Sequence, residues 1–109
     1  MNDMELGGNI VLSGFNEVKP AELIVLKKII GSYARKFADR LEGYQSLSLN
    51  LKEVHKIEDH SKYELHAKLL HDGKVTTSEV IDRNIFIALD SVLKKIESEV
   101  LRSWTATKL

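Results

Sequence analysis

Seven cations are spaced so that they could act on a polyanion: Lys28, Arg35, Lys36 and Arg40 in one segment, and Lys94, Lys95 and Arg102 in another. Steps of four and seven residues place side chains on a common side of a helix. Each ammonium or guanidinium that meets a phosphate releases counterions and fixes the position of the contact. The competing reading is a solvated helix face laced with Asp90–Lys94 and Lys95–Glu99 pairs, each contributing about 0.2–0.5 kcal/mol at this spacing. Glu97 and Glu99 interrupt the second set, and 16 basic residues offset 16 acidic ones across the chain. With no net charge there is no long-range steering, so any binding to nucleic acid rests on a local cluster.

Other chemistry is sparse. There is no glycine-rich phosphate loop, no H-E-x-x-H and no serine in a nucleophile-elbow setting. The absence of cysteine excludes disulfides, Cys-ligated zinc and thiol catalysis. Histidines stand at 55, 60, 66 and 71, but His66 and His71 fall on opposite faces of a strand and do not converge on one ion. The carboxylates Glu53, Glu58, Asp59, Glu64, Glu79 and Asp82 are scattered, with no apolar pocket to split a pair into acid and base. No catalytic constellation, cofactor site or metal ligand set is therefore expected from these residues.

At 109 residues the chain is long enough to bury a core as one domain, here with the core about 9–104. The opening residues lack a basic segment followed by an apolar core, and no apolar run approaches the about 18 residues of a membrane span. A cytoplasmic location without a membrane partner is the expectation. Residues 1–5, and the tail beyond Trp104, are expected to be loose.

The hydrophobic pattern sets the elements. "NIVLSGF" predicts a first strand over 9–14. Pro20 opens a long helix whose apolar stripe runs through Leu23, Leu26, Ile30, Tyr33, Ala34, Phe37 and Leu41 and ends near Glu42-Gly43. Gly31, in mid-helix, suggests a close backbone approach. "SLSLNLKEVH" and "KYELHAKLL" alternate at period two, separated by the polar loop "KIEDHS". Asp72-Gly73 predicts a type I′ hairpin, which sets His71 opposite Lys74, Leu69 opposite Thr76, Ala67 opposite Ser78 and Leu65 opposite Val80. Its other face then pairs Lys68 with Thr77 and His66 with Glu79. Asp82 or Asn84 caps a last helix with an apolar stripe at Ile85, Ala88, Leu89, Val92, Leu93, Ile96 and Val100. The simplest arrangement burying all these stripes is an α+β two-layer sandwich, β-α-β-β-β-α, with a four-stranded sheet and two helices packed on one face. Lys28, Arg35, Lys36, Arg40, Lys94, Lys95 and Arg102 would then form a discontinuous basic band across the helical layer. Leu70, Val75 and Ile81 fall on the outer sheet face, marking either a weak homodimer contact through that face or scattered surface apolar residues.

Over roughly residues 9–102 the chain resembles the ribosome hibernation-promoting factors, also called ribosomal subunit interface proteins. "IVLSGFNEV" is similar to the family's opening strand and glycine turn, "RKFADRLEGY" to the end of its first helix, and "DRNIFIALDSVLKKIE" to the entry into its last helix. The resemblance implies a non-enzymatic protein that binds the small ribosomal subunit in the mRNA/tRNA channel, contacting ribosomal RNA and neither DNA nor membrane. It carries a phosphate-contact role to Lys95 and Arg102, while Ser98 and Glu99 depart from the arginine and glutamine of the family's last helix. The C-terminal dimerisation domain of the long family members is not expected here, so the chain is expected to resemble the short form. Two other classes remain: a double-stranded RNA-binding module, for which Arg83 alone precedes the last helix, and a dimerising interaction module that binds no RNA.

Overall fold

The computed structural model describes residues 3–57 and 60–108, and side chains over 4–54 and 61–100. In chain order the elements are β1 (Asp3–Leu6), β2 (Ile10–Ser13), α1 (Pro20–Arg40), β3 (Tyr44–Ile57), β4 (His60–His71), β5 (Lys74–Asp82) and α2 (Ile85–Lys108). The strands form one sheet in the order β1-β2-β3-β4-β5, in which β2 and β3 are parallel and every other neighbouring pair is antiparallel. The β2–α1–β3 connection is the crossover that a parallel pair demands.

Period-two alternation decides which side of the sheet is covered. Leu47, Leu49 and Leu51 of β3 and Leu65, Ala67 and Leu69 of β4 are buried, together with Ile10 and Leu12 of β2. The intervening residues Ser48, Asn50, His66 and Thr77 stay half-buried or exposed. Leu26, Ile30, Ala34 and Phe37 of α1 and all seven stripe residues of α2 join the same hydrophobic cluster, so both helices cover one face. The β4–β5 register is the one that the Asp-Gly turn predicts, from His71↔Lys74 to Leu65↔Val80, with His66↔Glu79 and Lys68↔Thr77 on the outer face. Asp72 and Gly73 supply the positive φ angles, 49° and 71°.

The sheet has five strands, not four. Residues 3–6, of which 3–5 were expected to be loose, pair with β2 in the register Met4↔Leu12 and Leu6↔Ile10. Two hydrogen bonds anchor the turn between them to β3: Asn9 Nδ2 donates to the Gln45 carbonyl (3.0 Å), and Tyr44 Oη donates to the Gly8 carbonyl (2.8 Å). The first predicted strand is shorter than expected, at Ile10–Ser13. The first helix stops at Arg40, before Gly43, whose positive φ serves the next turn, where its carbonyl accepts Asp72 N–H at 2.7 Å. Strand pairing narrows the "KIEDHS" loop, since β3 runs to Ile57 and β4 begins at His60. At the other end α2 continues to Lys108, past the predicted fraying point.

Gly31 does not mark a close approach: a Cβ built there meets nothing within 4 Å. The tight glycine is Gly14. It sits at φ +81°, and a Cβ there would lie 2.1 Å from the Leu51 carbonyl oxygen.

Candidate nucleic-acid interface

Two helix termini set the placement of the cations. Pro20 begins α1 at a position where a missing N–H costs nothing. At α2 the Asn84 Oδ1 accepts N–H bonds from Phe86 (2.9 Å) and Ile87 (3.1 Å), while Asp82 Oδ1 accepts from Asn84 N–H (2.9 Å). The rotation of each helix about its axis then follows from its buried stripe.

On α1 the four predicted positions divide. Lys28 and Arg35, two turns apart, are exposed on the outward side, and neither forms a salt bridge among the described residues. Arg40 is exposed in the last turn. Lys36 instead faces α2: its Nζ donates to Glu97 Oε2 at 2.8 Å and lies 5.0 Å from the Tyr33 ring centroid. Tyr33 Oη in turn donates to Asp90 Oδ1 at 3.3 Å, and Lys94 Nζ reaches Asp90 Oδ2 at 3.1 Å. Burial first, then the Asp90 and Glu97 carboxylates, push the Tyr33 phenol up to about 12.

Lys95 lies on the opposite flank of α2. Its Nζ donates to the main-chain carbonyl of Glu79 on β5 at 3.2 Å, not to Glu99. Arg102 belongs to α2, but its side chain lies outside the described residues. The seven positions therefore do not make one band. The seam between the helices is lined with charges of both signs, which neutralise Lys36 and Lys94, and Lys95 turns to the far edge of the sheet. What remains together is the α1 face carrying Lys28 and Arg35. Lys27, which solvent-side counting omits, is half-buried beside them and forms no salt bridge among the described residues.

The uncovered sheet face holds a second polar group. His66 Nε2 lies 2.5 Å from Glu64 Oε2, and His66 Nδ1 lies 3.3 Å from Glu79 Oε2. The hydrogen bond from His66 holds the Glu64 carboxyl below its usual range. The His66–Glu79 contact follows from the hairpin register; Glu64 was legible only through the two-residue spacing that puts it on the same face as His66. His66 and Glu79 border a shallow concavity of about 680 Å³ that also involves Ser13, Asn50 and Lys68. Among the described residues no three His, Asp or Glu side chains are placed to hold a metal ion. His55 and His60, considered above as ligands, lie outside the residues whose side chains are described. At the end of the sheet where both helices begin, Glu17, Glu22 and Glu53 line a cleft of about 470 Å³ with Lys19 and Tyr63. That carboxylate lining opposes the attraction of helix N-termini for phosphate. No helix is long and apolar enough to cross a membrane among the described residues.

No family model and no curated protein matches the chain. The arrangement offers exposed cations on α1, a charge-paired seam between the helices, and an open sheet face that carries both polar and apolar side chains.

Proposed function

We propose that this chain is a non-enzymatic ribosome-binding protein that occupies the mRNA/tRNA channel of the small ribosomal subunit and inhibits or protects idle ribosomes. The observation that carries this reading is the pair Lys28 and Arg35, exposed and without a salt bridge among the described residues on the outward side of α1. Cations already held by carboxylates must break those contacts to meet phosphate; these two need not. Further support comes from the element order, β2-α1-β3-β4-β5-α2 with both helices on one face, which is the order implied by the resemblance to hibernation-promoting factors. Zero net charge suits a binding pocket made of folded RNA, where shape and a few placed cations carry recognition. In this reading Lys28, Arg35 and Arg40 make the principal phosphate contacts. Lys36 and Lys94 act only if their carboxylate partners release them.

Sedimentation of cell extract through a sucrose gradient tests the proposal. The chain is expected to co-migrate with small subunits or whole ribosomes. The double variant Lys28→Glu, Arg35→Glu should weaken that binding and reduce the slope of log affinity against log salt by about 1 per lost phosphate contact. Unchanged binding by the variant would remove the α1 face from the site, and no ribosomal peak for the parent would overturn the reading. Equal competition by a plain RNA duplex would favour a double-stranded RNA-binding module.

A further inference from the structure

β5 is an edge strand, and its outer rim is open. In a hairpin closed by the two residues Asp72 and Gly73, the flanking pair His71↔Lys74 is hydrogen-bonded, and such pairs alternate along the ladder. The main-chain groups of Lys74, Thr76, Ser78, Val80 and Asp82 therefore point at β4. Those of Val75, Thr77, Glu79 and Ile81 point away from the sheet. The Lys95 bond to the Glu79 carbonyl agrees with this direction, and it is the sole hydrogen bond to these outward groups among the described residues. Val75 and Ile81 are also 59% and 57% exposed. Open edges with exposed apolar side chains are templates for another strand.

We propose that β5 pairs with β5 of a second copy of this chain, antiparallel about a two-fold axis at Ser78, to give one continuous sheet across a homodimer. The sequence of the strand, Lys-Val-Thr-Thr-Ser-Glu-Val-Ile-Asp, selects both the occupant and the register. A two-fold axis at Ser78 sets Val75 against Ile81 of the second copy and Lys74 against Asp82 of the second copy. The two exposed apolar residues thus cover each other, and opposite charges meet at both ends. Asp82 uses Oδ1 for the Asn84 N–H, which leaves Oδ2 for the lysine. Thr77 meets Glu79 of the second copy, and the small Ser78 faces its own mate where the strands come closest. Sliding the register by two residues in one direction sets Glu79 against Glu79; in the other it sets Val75 against Glu79. The four outward residues of each copy make four pairs, each exchanging two main-chain bonds. Lys95 must release the Glu79 carbonyl for the pairing to close.

This contact uses the rim of the sheet and not its outer face, and it stands independently of ribosome binding. Sedimentation equilibrium of the full chain should give a mass that rises from one copy toward two with concentration. Thr77→Pro removes one outward N–H on an edge where proline is tolerated, and should weaken association about tenfold or more with the far-UV circular dichroism unchanged. The chain lacks cysteine, so register is read directly by oxidising a mixture of Val75→Cys and Ile81→Cys proteins. Hydrogen-bonded pairs sit about 5.5 Å apart at Cα, within disulfide range, so the mixed dimer should cross-link faster than either variant alone. A parent that stays monomeric, a folded Thr77→Pro protein that associates as strongly as the parent, or cross-linking no faster in the mixture would each overturn the pairing. If Thr77→Pro fails to fold, the cysteine pair decides.

Discussion

At the residue scale, two groups make opposed demands on their surroundings. Gly14 combines a positive φ with a backbone oxygen where a side chain would be. Gly14→Ala is therefore expected to lose about 2–4 kcal/mol of stability, read as a lowered urea midpoint with an unchanged slope. Its place after the first strand was visible in the sequence, but the Leu51 carbonyl that fills its Cβ space is 37 residues away and could not be inferred. Tyr33 couples stability to pH. Its folded phenol ionises near 12, above the ordinary 10, so the unfolded chain ionises first as pH rises through 10. Stability is thus expected to fall between pH 10 and 12 in the parent, and Tyr33→Phe should flatten that fall in urea titrations taken across the range. Glu64 acts in the opposite sense. Its pKa is lowered by the His66 hydrogen bond, so its contribution is present above the unfolded carboxyl value and is lost as pH falls through the folded one.

Among the elements, α1 and α2 were legible in full outline because a 3.6-residue period leaves little choice over so many turns. The α2 cap was legible too, as a choice between Asp82 and Asn84. The structure assigns the cap to Asn84, with Asp82 holding the Asn84 N–H. Asn84→Ala should cost about 1 kcal/mol, measured by chemical denaturation. Gly31→Ala should stabilise by about 0.5–1 kcal/mol, because the added methyl meets nothing and the helix gains a better former. A loss on that substitution would mean the glycine is tighter than its surroundings indicate. β1 was not legible: four residues with only Met4 and Leu6 apolar carry too little alternation. Its pairing depends on Asn9 and Tyr44 reaching across to segments far apart in sequence.

On the scale of the molecule, buried residues from Ile10 to Val100 form one cluster that both helices and the sheet share. A change in that cluster should be felt everywhere at once. Leu89→Ala, at a fully buried site, is expected to lose about 3–5 kcal/mol, with the far-UV and near-UV transitions shifting together. Diverging transitions would show that the helical layer unfolds separately from the sheet. The charge-reversed Lys28→Glu, Arg35→Glu protein, altered only on an exposed face, should keep its unfolding midpoint while ribosome binding changes.

Taken alone, the amino-acid sequence determined the types of all elements but β1, the covered and uncovered sides of β3, β4, β5 and both helices, and the β4–β5 register. All of these follow from short-range periodicity and one turn whose residues accept positive φ. It did not determine which cations share a surface, because a helical period specifies a side of one helix and not what the neighbouring helix presents to it. Tertiary packing brought Glu97 to Lys36, Asp90 to Tyr33, and the β5 edge to Lys95, and left Lys28 and Arg35 on the outward face of α1, beside the exposed Asp39, without a salt bridge among the described residues.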